Sequence, residues 1–166
     1  ILTRVALPEQ RKTVVLMKQV QRGVAKLTIP QSAGAGVTEN GMYTVTSEQD
    51  ACGVIATSVT DSAYKGLSVT VLTEQQMNNI LTQAFNSTDG KLSNAKSTKV
   101  SFGSVKAYRT VGILTTDEGA GDCLIFTYIT GNKMDMICLL AYENDTALKN
   151  MANGLMVGGV TASPQF

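Results

Sequence analysis

The chain has 166 residues, the size of one ordinary domain. Apolar residues make up 43%, charged residues 16%, and the net charge is +1, which excludes a disordered chain and leaves no global attraction for polyanions. There is no His and no Trp, and aromatics are 5%, so His-based nucleophile activation, His metal ligation and a stacking platform for single-stranded nucleic acid are all removed.

Thr13 to Gln21 is β-branched at its start and alternates later. Arg22-Gly23 punctuates it, and Val24 to Ile29 runs on to Pro30. This pattern predicts a hairpin with Gly23 supplying the permissive turn conformation. Gln31 to Gly41 (QSAGAGVTENG) is a long loop or the start of a second hairpin, and Asn40-Gly41 is a strong turn signal. Met42 to Thr46 and Ala51 to Val59 read as strands.

Thr73 to Asn86 changes period. Met77, Ile80, Leu81, Ala84 and Phe85 recur on one face of a helix. Thr73 and Gln76 make a capping box, and Glu74 suits the positive end of the helix. Four strands are expected next, over Thr98 to Phe102, Val105 to Leu114, Cys123 to Thr130, and Met134 to Tyr142. Turns at Gly103-Ser104, Asp117 to Asp122, and Gly131-Asn132-Lys133 separate them into an antiparallel meander. Asp145 to Val157 carries Leu148, Met151, Ala152, Leu155 and Met156 on one helical face and stops at Gly158-Gly159.

Strands and helices are segregated along the chain rather than alternating. The fold class is therefore α+β: a mainly antiparallel sheet of about six to eight strands, with two amphipathic helices covering a face of it. One domain is expected over residues 13–160, preceded by an extension over 1–12 and followed by a tail over 161–166. No apolar run reaches the ~18 residues of a membrane span. The chain starts at Ile1, so a segment upstream is expected to have been removed.

Gly23-Val24-Ala25-Lys26-Leu27-Thr28-Ile29-Pro30 resembles the Gly-aromatic-x-x-x-x-apolar-Pro opening strand of the PsbP-like fold, with Val24 where an aromatic is usual. Val105 to Thr110, Leu124 to Ile129 and Met136 to Tyr142 are similar to its central meander, and Asp145 to Val157 to its closing helix. The group includes the extrinsic PsbP protein of photosystem II, DcrB-type bacterial envelope lipoproteins and a Ran-binding nuclear import factor. The resemblance implies a binding or assembly protein and supplies no shared catalytic constellation. A non-catalytic accessory of the bacterial cell envelope with a protein partner is the expectation, exported or lipid-anchored. The alternative is a carrier holding a small apolar ligand between sheet and helices, for which the seven Met residues offer adaptable lining. No cofactor, no metal and no nucleic acid is expected.

Charge is uneven along the chain. Arg4, Arg11, Lys12, Lys18, Arg22 and Lys26 against Glu9 give the first 26 residues +5. From Asp117 to Asp145 the balance is −5. Arg11, Lys12, Lys18, Arg22 and Lys26 are the candidate binding residues, forming a basic surface for an acidic partner or anionic lipid, or else edge decoration against strand pairing. Asp117 to Asp122 reads as a solvated turn, with a calcium loop as the other reading. Asp117/Glu118 and Asp135 with Glu143 are paired carboxylates that nothing in the sequence makes converge. Cys52, Cys123 and Cys138 match no metal or redox spacing and read as buried free thiols. A two-residue loop at Gly131-Asn132 would place Cys123 opposite Leu140 and Cys138 opposite Ile125, leaving the two thiols diagonal.

Overall fold

The structure, a computed structural model, describes residues 15–166. Strand β1 (Met17–Arg22) turns through Gly23-Val24 into β2 (Ala25–Pro30). Arg22 pairs with Ala25, so the loop has two residues, and Gly23 takes a φ of +58°. A second hairpin joins β3 (Val37–Glu39) to β4 (Met42–Ser47). Its loop residues Asn40 and Gly41 have φ of 52° and 77°. Two successive positive φ values give the primed turn that suits the right-handed twist of the strands, which is why Asn-Gly stands there.

Strand β5 (Cys52–Thr60) leads through two 3-10 turns, Ser62–Tyr64 and Val69–Val71, into helix α1 (Glu74–Ala84). Thr73 and Gln76 cap this helix reciprocally, as the sequence predicts. The meander follows as β6 (Gly90–Phe102), β7 (Val105–Thr116), β8 (Gly119–Thr130) and β9 (Lys133–Ala141). Helix α2 (Asp145–Gly154), capped by Asn144, precedes the short strands β10 (Met156–Val157) and β11 (Val160–Thr161).

The strands form two antiparallel sheets. Seven lie in the order β3-β4-β5-β9-β8-β7-β6, and four in the order β1-β2-β10-β11. Residues along β8 alternate between two cores on opposite faces of the larger sheet. Leu124, Phe126 and Tyr128 face the smaller sheet and α2, where they pack with Leu27, Ile29, Met151 and Leu155. Phe102 meets Phe126 edge-on at 5.7 Å and Tyr128 at 6.1 Å, the geometry ring quadrupoles favour. Cys123 and Ile125 face the other way and pack with Met77, Leu81 and Phe85 of α1.

Three expectations are corrected. The helices share a sheet but lie on opposite faces of it, because the smaller sheet joins α2 in covering the first face. Helix α2 ends at Gly154 rather than Val157: Leu155 is extended, and Met156 and Val157 pair with Lys26 and Ala25 of β2. Gly119 to Asp122 are strand, because Thr116 pairs with Gly119 and only Asp117-Glu118 turns. Beyond β11, Ser101 and Ser163 exchange backbone hydrogen bonds, and Asn153 accepts from the Phe166 N–H at 2.8 Å. Among the described residues, no helix is long and apolar enough to cross a membrane.

Candidate functional site

Three of the five basic residues named from the sequence are described; Arg11 and Lys12 lie outside the described residues. Register separates the three. Lys18 and Arg22 stand opposite Ile29 and Ala25, on the face of the smaller sheet that turns toward the core. Lys26 stands opposite Gln21, on the outward face. Lys18 Nζ donates to the Ala33 carbonyl at 2.9 Å, and the Arg22 guanidinium lies 4.5 Å from the centre of the Tyr43 ring. A cation over an aromatic face in a half-buried setting is attractive by about 1 kcal/mol. Arg22 thus clamps the small sheet to β4 instead of facing outward with Lys26.

Arg22 also borders a cleft of about 420 Å³ between the β1–β2 hairpin and the large sheet. Its polar wall is one cross-strand row: Ser58 pairs with Asp135, and Asp135 pairs with Tyr128. The Ser58 hydroxyl donates to an Asp135 carboxylate oxygen. Burial, then the charge and hydrogen bond of Asp135, push the Tyr128 phenol upward, so it stays protonated. Lys133 and Thr57 complete the rim. Asp135 was visible in the sequence as a carboxylate, but its partners come from two other strands and no local signal joins them. Glu143 lies beyond the other end of β9, so the two carboxylates do not converge.

The opposite face of the large sheet is covered only in part. One row crosses it: Val37–Thr44–Ile55–Cys138–Ile125–Thr110–Ser97. At the Ser97 end α1 closes over the sheet, and Ser97 Oγ donates to Asn78 Oδ1 at 2.6 Å. From Cys138 to Thr110 every side chain is buried. At the other end Ile55 and Thr44 are half-buried and Val37 is 60% exposed. Met42 and Val59, on neighbouring rows of the same face, are each 43% exposed. The β3–β4–β5 half of this face therefore has no covering layer among the described residues.

A groove of about 490 Å³ runs along that half, floored by Ile55 and Leu140 and walled by Thr44, Thr46, Thr116 and Tyr142. The hydroxyls of Thr116 and Tyr142 lie 2.6 Å apart and fix the far wall. A Cβ on Gly121 would stand 2.7 Å from Leu140 Cδ1, so only glycine there lets Leu140 lie as it does.

No family model and no curated protein sequence matches the chain. Among solved structures, the chain is similar to cyanobacterial PsbP from Synechocystis, whose solution structure superposes with a TM-score of 0.62. The match covers 87% of this chain and 94% of that one at 13% identity. The fold is PsbP-like. The smaller sheet, the seven-stranded sheet and the two helices on its opposite faces are thus arranged within a PsbP-like frame. At this identity the likeness carries the fold and no residue's role.

Proposed function

We propose that the protein is a non-catalytic binding or assembly accessory of the bacterial cell envelope, working through the uncovered half of its large sheet. The observation that carries this reading is the row from Val37 to Ser97, which is closed at one end and open at the other. Exposed apolar residues gathered on one face mark interaction sites more often than single scattered ones do. The PsbP-like fold, the low charge and the Ser/Thr/Asn-rich loops support export to the envelope. A carrier with its ligand between sheet and helices has less support, because both cores are filled by fully buried side chains such as Phe102, Phe126, Met77 and Leu81.

The test is site-specific photocrosslinking of the full chain in the cells that make it. A photoreactive residue at Thr44 is expected to trap one discrete protein in the envelope fraction. The same residue at Thr98, exposed on edge strand β6, is expected to trap none. No adduct at Thr44, or a small apolar molecule released in stoichiometric amount on denaturation, would overturn the reading.

A further inference from the structure

The charges around the uncovered groove are of one sign. Glu48 and Glu118 line it, and no Lys or Arg is among the residues lining it. Both carboxylates are exposed, one on the β4–β5 turn and the other on the β7–β8 turn. Glu39 lies on the same face, opposite Met42. The floor between them is apolar, with Leu140 and Ile55, and the Thr44 and Thr46 side chains stand along β4. An apolar floor between acidic rims repels an acidic segment. It favours one whose apolar side chains are flanked by cations, since complementary potentials set partner choice across an interface.

Resting on the binding role proposed above, we infer that the groove between Glu48 and Glu118 docks a basic amphipathic segment of a partner protein. The apolar side chains of that segment lie over Ile55 and Leu140, and its Lys or Arg side chains reach Glu48 and Glu118. The charged rim sets approach and orientation, and the floor sets residence. A second copy of this chain would bring the same acidic rim against itself, so self-association through this face is disfavoured by like charge.

The probe is a pair of synthetic amphipathic peptides of identical pattern, one of Leu and Lys and one of Leu and Glu. Each is titrated into the isotope-labelled full chain while backbone amide shifts are followed. The Leu/Lys peptide is expected to move the amides of Thr44, Thr46, Ile55 and Leu140, to weaken with added salt, and to bind at least tenfold more tightly than the Leu/Glu peptide. Glu48→Lys with Glu118→Lys, both at exposed turns, should lower its affinity at least tenfold with an unchanged melting temperature. Lys26→Glu, on the far side of the molecule, should leave it unchanged. Equal binding of the two peptides, shifts confined to the Arg22–Asp135 cleft, or a dimer in sedimentation that buries Thr44 and Ile55 would each overturn the inference. If the peptides fail while the Thr44 photocrosslink still traps a partner, the basic chemistry is wrong and the binding role stands. If both fail, the binding role falls with it.

Discussion

Gly154 and Thr28 occupy one space. A Cβ on Gly154 would stand 2.4 Å from Thr28 Oγ1 and 2.6 Å from Thr28 Cβ, and that hydroxyl donates to the Gly154 carbonyl at 3.0 Å. The contact joins the last residue of α2 to the middle of β2 and lets the chain pass from helix directly into β10. Gly154→Ala gains helix propensity of roughly 0.5–1 kcal/mol but forces a short, branched side chain and a strand to move. Overpacking of this kind costs typically ~1–3 kcal/mol, so a net loss of stability is expected in chemical denaturation. Thr28→Ala keeps the Cβ that stands 2.6 Å away, so the clash is relieved only by Thr28→Gly, and with Gly154→Ala its cost should be well below the sum of the two single costs. Two costs that simply add would mean that Thr28 is not what excludes the Cβ.

The two helices make a second, independent test of the architecture. Leu81 of α1 and Leu155 at the end of α2 are both fully buried, but on opposite faces of the large sheet. Replacing either by Ala should cost ~2–5 kcal/mol through lost burial and the cavity left behind. Residues with no shared partners add within ~0.5 kcal/mol, so the double variant should equal the sum of the singles. A coupling well above that would place both helices on one face.

That arrangement shows where the sequence stopped being readable. The turns at Gly23, Asn40-Gly41 and Gly131-Asn132 were legible because turn chemistry is local. The apolar period of each helix was legible too, through Met77, Leu81 and Phe85 and through Leu148 and Met151. Period reports which side of a helix is apolar and nothing about which side of a sheet receives it. Met156 kept the helical spacing yet became strand, because its partner Lys26 lies 130 positions away in the chain. Gly119 to Asp122 looked like a loop by composition and paired with β7 instead. The site was less visible still. The charge count gathered Lys18, Arg22 and Lys26 into one surface, whereas alternation along β1 and β2 divides them between two faces. The groove depends on which half of a face α1 leaves bare, a tertiary fact.

Stability should fall at alkaline pH. Burial, with the charge of Asp50 behind it, pushes the Cys52 thiol up to about 12. Burial also leads the upward shifts of Tyr108 and Tyr128. A group whose folded pKa is raised holds its proton longer than the unfolded chain does. Its stabilisation is complete below the unfolded value, ~8.5 for Cys and ~10 for Tyr, and is lost progressively above it. Cys138, raised by its hydrogen bond with Cys123 and by burial, loses its stabilisation over the same range, while Cys123 is lowered and adds no slope above the unfolded thiol value. Cys52 and Cys138 therefore share the onset. Urea unfolding should show no loss of stability to about pH 8 and then a decline approaching ~1.4 kcal/mol per pH unit for each raised thiol. Cys52→Ala should make the decline between about pH 8.5 and 10 shallower, leaving the part owed to Cys138, with the tyrosine part above it. A decline of the same onset and slope in Cys52→Ala would show that other groups cause it.

The last expectation concerns the other two thiols. Thr130 pairs with Lys133 across the two-residue loop Gly131-Asn132, which places Cys123 opposite Leu140 and Cys138 opposite Ile125. The cysteines share a face but stand on a diagonal. Diagonal neighbours in an antiparallel pair lie ~7–8 Å apart, whereas a disulfide wants its Cβ atoms ~3.5–4.5 Å apart. The hydrogen bond with Cys123, together with burial, pushes the Cys138 thiol up. A covalent bridge needs more: β8 and β9 would have to slide past one another while Leu124 and Leu139 stay paired in the opposite core. All three cysteines are buried as free thiols. The folded, unreduced protein should therefore react with a thiol reagent only slowly at pH 8. Unfolded in denaturant without reductant, it should show all three thiols at once. One thiol after unfolding would reveal a bridge and would disprove the β8–β9 register on which both cores depend.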